Sequence, residues 1–217
     1  MLRVPEPELM DDLAQAQAYA SADFAEVNQG FTSTFVERFP AFRSGRLLDL
    51  GCGPADIPIR LCQALPELHI TAVDGAANML KLGQDAAQTA GVQDRLQLVH
   101  AYLPAPLPGP FDALISNSLL HHLPDPHVLW DSVARHSAPG APILVMDLRR
   151  PPDAEAAKAL VQQYADGEPD VLRRDFLLSL HAAFTVPEIE AQLARAGLSH
   201  LQVSTPSDRH VLVSGKR

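Results

Sequence analysis

The chain has little cysteine. Of its 217 residues, Cys52 and Cys62 are the two cysteines, too few for a disulfide framework or a thiolate metal cage. Two free thiols suit a reducing compartment, so the expected location is the cytoplasm. Basic residues are scarce as well: 17 Lys and Arg stand against 26 Asp and Glu, a formal net charge of −9. A nucleic-acid binder normally carries a basic stripe to offset phosphate charge. The clustered basics here are Arg149–Arg150 and Arg173–Arg174, so nucleic acid is not an expected partner. No apolar run approaches the roughly 20 residues of a membrane helix, and no membrane partner is expected. The first residues, MLRVPEPELMDD, hold Glu6, Glu8, Asp11 and Asp12 without an apolar stretch behind a basic start, a pattern unlike a secretory leader. Histidines at metal spacing such as H-E-x-x-H are missing too, so no metal is expected.

What is present is an ordinary globular composition, 47% hydrophobic, at a length that fits one domain over residues 1–217. The 19 prolines mostly punctuate, as in LPAPLPGP at 103–110 and RRPP at 149–152, and mark element ends. The stretch 8–39 reads as one or two helices. RLLDL (46–50), HITAVD (69–74), RLQLVH (95–100), FDALIS (111–116) and PILVMDL (142–148) read as strands. Helices are predicted between them, over 57–65, over 78–90 with a stop at Gly91, and after Asp125–Pro126. Strands alternating with helices at this spacing predict a doubly wound, mostly parallel α/β sheet. Two more helices are predicted over 153–165 and 168–182, the first with Ala157, Leu160, Val161 and Tyr164 on one face. Thr185 and Glu188 stand at capping-box spacing for a last helix ending at Gly197. LSHLQVST (198–205) and HVLVSG (210–215) then predict an antiparallel hairpin.

The strongest motif is LLDLGCGPAD, residues 47–56. A strand ends near Asp49, and Gly51 and Gly53 flank Cys52 before a helix begins. Glycines there allow a sharp turn and a close approach of ligand to backbone, and the helix N-terminus offers unpaired N–H groups. The next strand ends in Asp74, about twenty residues on, the spacing of a carboxylate that accepts both ribose hydroxyls. A dinucleotide fingerprint needs a third small residue in the loop. Asp56 stands there, and Asp49 in front of the loop suits a cationic amino group better than a pyrophosphate.

On these residues the chain resembles the class I S-adenosylmethionine-dependent methyltransferases. LLDLGCGP is similar to their first motif, AVDGAANML (72–80) to their second, and FDALISNSLLHHLPDP (111–126) to their fourth. The resemblance covers residues 46–148 and extends to a reversed seventh strand in a Rossmann-like, seven-stranded sheet. It implies S-adenosylmethionine as cofactor. Asp49, Gly51, Cys52 and Gly53 would line the methionine part, and Asp74 with Gly75 the ribose. Met79, Ala101 and Tyr102 would flank the adenine, although many members carry an acid where Ala101 stands. Asn117 would offer its carbonyl to the amino group, and the helices of 8–39 would form a lid over the cofactor.

His121 and His122 follow the fourth strand and are candidate catalytic residues, since imidazole titrates near neutrality. One of the two is expected to face the transferred methyl and the other to pack away. Tyr19, in the N-terminal helices with Phe24 and Asn28, and Arg149, beyond the fifth strand, are candidate substrate contacts. The short helices at 153–182 suit a small-molecule acceptor. The alternatives are a non-catalytic cofactor-binding sensor or accessory module, and an RNA or protein methyltransferase.

Overall fold

The computed structural model describes residues 1–6 and 24–217. Tyr19 and the first part of the expected N-terminal lid lie outside the described residues. In chain order the elements are α1 (Ala25–Arg38), β1 (Ser44–Leu50), α2 (Asp56–Ala64), β2 (Glu67–Asp74), α3 (Ala77–Thr89), β3 (Leu96–His100) and β4 (Ala113–Asn117). A short 3-10 turn (Leu120–His122) follows, then α4 (His127–His136), β5 (Pro142–Leu148), α5 (Ala154–Tyr164), α6 (Asp170–Ala182), α7 (Val186–Arg195), β6 (Gln202–Ser204) and β7 (His210–Lys216).

The seven strands form one sheet in the order β3-β2-β1-β4-β5-β7-β6. β1 to β5 run parallel, while β7 pairs antiparallel with both β5 and β6. The strand period of two sorts apolar residues to opposite faces. Leu47, Ile70, Ala72 and Leu144 pack with Phe31, Phe35, Ile57 and Leu61, under α1 and α2. Leu48, Val73, Ile143 and Val145 pack with Leu129, Trp130, Ile189 and Leu193, under α4 and α7. The strands are therefore buried on both faces, which explains their near-continuous apolar runs. Among the described residues no helix is long and apolar enough to cross a membrane.

Several boundaries differ from the sequence expectation, each for a local reason. The last hairpin is shorter on its first side. Leu198 donates its N–H to Leu193 and Gly197, at φ +71°, donates to Ala194, which is the Schellman closure of α7. Residues 198–201 are thus used in ending the helix, and pairing begins at Gln202. α4 begins at His127, whose N–H donates to Asp125 Oδ1 at 3.0 Å, so Asp125 does receive the helix start but Pro126 precedes the first turn. On α5, Ala157 and Val161 are buried, whereas Tyr164 is 40% exposed. Its hydroxyl donates to Asp208 and Arg209 lies over its ring, so it serves the β6–β7 connection, not the α5–α6 contact. Over its described length α1 is anchored to the sheet face through Phe31 and Phe35, which are buried in that core.

The α4–α7 side holds one buried polar contact: Trp130 Nε1 donates to Gln192 Oε1 at 2.9 Å. Gln192→Leu keeps the volume but leaves the indole N–H unsatisfied. Thermal and urea unfolding should show a loss of about 1–3 kcal/mol. An unchanged midpoint would mean that this bond contributes nothing.

Candidate active site

The parallel register brings the carboxyl ends of β1, β2 and β4 to one edge, where ligands of open α/β sheets bind. Asp49 lies opposite Ala72 and Ile115; Asp74 and Asn117 end their own strands. The glycine loop after β1 is tied to the end of β2. The N–H groups of Gly51 and Cys52 donate to the Val73 carbonyl at 2.8 and 3.1 Å. Gly53 N–H donates to Asp74 Oδ2 at 2.7 Å, and Ala76 N–H to Oδ1 at 2.8 Å. Asp74 therefore holds both its own turn and the loop across from it.

The two glycines do different things. Gly51 has φ +77°, and an added Cβ would sit 2.8 Å from the Leu119 side chain, so this position needs both the conformation and the small size. Gly53 has φ +52°, and an added Cβ would meet nothing within 4 Å, so its outer side is open. Ala55 and Ser118 also adopt positive φ, 64° and 57°, which costs a residue bearing a Cβ of order 1 kcal/mol or more. Neither was singled out from sequence, although strain of this kind gathers at functional edges. Asp56 is taken up structurally: it accepts from Asn28 Nδ2 and Arg60 Nε at 2.9 and 2.7 Å.

The remaining cofactor candidates are dispersed around this edge. Met79 is buried beside Ala76 and Leu82. Ala101 N–H donates to the Asp74 carbonyl, and Gly75 contributes its carbonyl to His100 Nε2 at 2.9 Å. Tyr102 is 63% exposed. Asn117 Oδ1 is buried without a hydrogen-bond partner. Cys52 is buried, and burial holds its thiol well above the ordinary value. Arg149 is directed elsewhere: its Nη2 donates to the Asp208 carbonyl at 2.8 Å. This spends the guanidinium on the β6–β7 connection instead of leaving it free as a clamp. Its neighbour Arg150 is ion-paired with Glu188 at 2.7 Å.

The histidine pair departs from expectation. The rings of His121 and His122 lie with centroids 4.0 Å apart, tilted by 38°, so within the 3-10 turn both lean to the same side instead of diverging. His121 is buried and its Nδ1 lies 2.6 Å from Asp147 Oδ1. Burial pushes the His121 pKa down, but Asp147 outweighs it and the net shift is upward. His122 Nδ1 lies 2.7 Å from Glu6 Oε2. Asp147 also accepts the Leu120 N–H at 2.7 Å and so fixes the start of the turn. Glu6 arrives from the N-terminal segment, which Arg3 straps down by donating to the carbonyls of Ala182, His121 and Leu123. Asp147 was hidden in sequence as the sole acid of an apolar strand. Glu6 gave no signal at all, because its partner is more than a hundred residues away.

Asp49 is the electrostatic centre of the edge. Burial, and then the nearby Asp74 carboxylate, push its pKa up to about 8 from 3.8, and Asp74 is raised as well, chiefly by burial. A carboxyl whose folded value is raised binds its proton more tightly when folded than when unfolded. The associated stability is complete below the ordinary value and is lost as pH rises through the raised one. Urea unfolding should therefore show stability falling between pH 3.8 and about 8. Asp49→Asn should flatten part of this fall and be the more stable protein at the alkaline end. Equal pH slopes in the two proteins would mean that Asp49 is ionised throughout.

The family model of the methyltransferase domain matches residues 48–143, the span from β1 to the start of β5. A ubiquinone biosynthesis O-methyltransferase of Xylella fastidiosa is 30% identical over 118 residues, covering 54% of this chain and 47% of that one. The 27-O-demethylrifamycin SV methyltransferase of Amycolatopsis mediterranei is 28% identical over 181 residues, covering 82% and 62%. This chain thus spans less than two thirds of the length of these relatives. Among solved structures, a SAM-dependent methyltransferase from Aquifex aeolicus shares the fold with TM-score 0.69 at 15% identity, over 94% of this chain and 98% of that one. With the three motifs seated at one sheet edge, the chain is similar over residues 48–143 to the class I S-adenosylmethionine-dependent methyltransferases.

Proposed function

We propose that this protein transfers the methyl group of S-adenosylmethionine to a small-molecule acceptor. The observation that carries the reading is the pairing of Asp49 and Asp74 around an open glycine loop. The residues fit the cofactor by chemistry. Gly53 has open space where a side chain would stand, Asn117 Oδ1 has a buried, unmet acceptor, and buried Asp49 needs a cation before it can ionise cheaply. In this reading Asp49 takes the cofactor's amino group with the Asn117 carbonyl, Gly51, Cys52 and Gly53 pass along the methionine part, and Asp74 with Gly75 takes the ribose. Met79, Ala101 and Tyr102 border the adenine. When bound, the cofactor's sulfonium supplies an electrophilic methyl group.

The chain's own task is to orient, to exclude water and to prepare the acceptor. His121 and His122 stand on the turn after Asn117 and face the acceptor side, with Asp147 fixing the first ring and Glu6 beside the second. α5 and α6 border that side as a pair of short helices, packed through Ala157, Val161 and Leu180. Such short elements frame a compact site and suit a metabolite better than a macromolecule. The acidic balance of −9 points the same way. The free thiols of Cys52 and Cys62 suit the cytoplasm. The named small-molecule O-methyltransferases among the relatives make a hydroxyl oxygen the first acceptor atom to try.

Two measurements test this. Incubation of the protein with methyl-labelled cofactor and a metabolite extract should place label in the small-molecule fraction. Label in RNA or protein would overturn the acceptor class, and tight cofactor binding without any product would make the chain a sensor or accessory module. In calorimetry, Asp74→Ala should lose about 2–4 kcal/mol of affinity for S-adenosylhomocysteine, the cost of truncating charge-assisted bonds to two hydroxyls. Unchanged affinity would remove Asp74 from the site.

A further inference from the structure

The sequence spacing predicts no metal, yet folding gathers two imidazoles and a carboxylate. One ligand atom each from Glu6, His121 and His122 lie within 4.8 Å of one another. Their surroundings are those of ligands. His121 gives Nδ1 to Asp147 at 2.6 Å, which leaves Nε2 as its open nitrogen. A carboxylate holding the far nitrogen of an imidazole is the usual outer partner of a metal-bound histidine. His122 Nδ1 and Glu6 Oε2 are 2.7 Å apart, but the nitrogen has no aligned hydrogen bond and is buried. Glu6 Oε1 is likewise buried without an aligned hydrogen bond, with Ser179 the neighbouring hydroxyl. Buried polar atoms without partners are uncommon enough to need an explanation.

We propose that Glu6, His121 and His122 bind one divalent transition-metal ion at the acceptor side of the site. Two imidazole nitrogens and one carboxylate suit Zn²⁺, Fe²⁺, Co²⁺ or Mn²⁺ better than a hard all-oxygen ion such as Ca²⁺. Three protein ligands leave coordination positions open, the arrangement of a working site and not of a closed structural one. Two carboxylates, Glu6 and Asp147, flank the pair, and the nearby Arg3 contacts the His121 and Leu123 carbonyls instead of the rings. The role of the ion rests on the methyltransferase reading: an open position takes the acceptor's oxygen. The O–H bond breaks, its proton leaves to solvent, and the oxygen stays on the ion as the anion. This assigns a ligand role to the pair that the sequence offered as candidate catalytic residues.

The test uses the full chain, stripped of metal with chelator and titrated with Co²⁺ without cofactor, followed by visible absorption. One equivalent should bind with a d–d spectrum of low coordination number, and Zn²⁺ should displace it. Glu6→Gln and His122→Ala should each weaken binding at least about tenfold, while His200→Ala, on an exposed residue, should not. Unchanged circular dichroism and melting of the variants separate ligand loss from misfolding. No saturable one-equivalent binding, or equal affinity in wild type and both variants, overturns the site. S-adenosylhomocysteine affinity, measured on the same preparations, keeps the two readings apart. Metal binding lost with cofactor binding retained overturns this proposal alone.

Discussion

The Asp74 carboxylate is the contact on which this sheet edge depends. One oxygen holds the Gly53 N–H and the other the Ala76 N–H, so a single side chain joins the turn after β1 to the turn after β2. Charge-assisted bonds to backbone N–H groups are stronger than neutral ones, and both of these are part-buried. Without that tie the loop from Leu50 to Ala55 would keep the donations of Gly51 and Cys52 to Val73 but lose its outer half. A carboxylate has about four acceptor positions. Two are filled by backbone, which leaves capacity for two hydroxyls on the same group.

The price of this arrangement is borne by Asp49. A second acid, almost without exposure and close to Asp74, is held near a pKa of about 8, so the ligand-free edge stores an unfavourable buried carboxyl. Natural cores avoid such groups unless a partner arrives. A cationic partner converts that cost into affinity, because the carboxyl can then ionise. Ala55 and Ser118, both with a Cβ at positive φ, add local strain at the same edge. The rest of the sheet, with its two apolar faces, provides the stability against which these costs are set.

The strands were legible because period-two patterning and near-continuous apolar runs report burial directly, as in PILVMDL, which forms β5 residue for residue. The helix stops at Gly91 and Gly197 were legible because closure there needs a left-handed residue. The first side of the terminal hairpin was misread, since Leu198 looks like a strand residue but serves the end of α7. Asp49, Asp74 and the glycines could be proposed from spacing along one chain segment. Glu6, Asp147 and the lean of the histidine rings could not. They depend on tertiary approach, Glu6 across more than a hundred residues and Asp147 across 26, and on a 3-10 turn that the alternation of neighbouring residues does not foresee. Arg149 stands beyond the end of β5 as expected, and the contact of its Nη2 with the Asp208 carbonyl could not be foreseen for the same reason.

The central claim is that buried, protonated Asp49 is the seat of the cofactor's cationic amino group. It is tested most directly by calorimetry of S-adenosylhomocysteine binding near neutrality, repeated in buffers of different ionisation enthalpy. The slope of apparent enthalpy against buffer enthalpy counts protons exchanged. Binding should release about one proton per ligand as Asp49 ionises against the ammonium, and Asp49→Asn should abolish that release. Tight binding with no proton released by the wild type would contradict the account, because Asp49 would then be either already charged or away from the amino group.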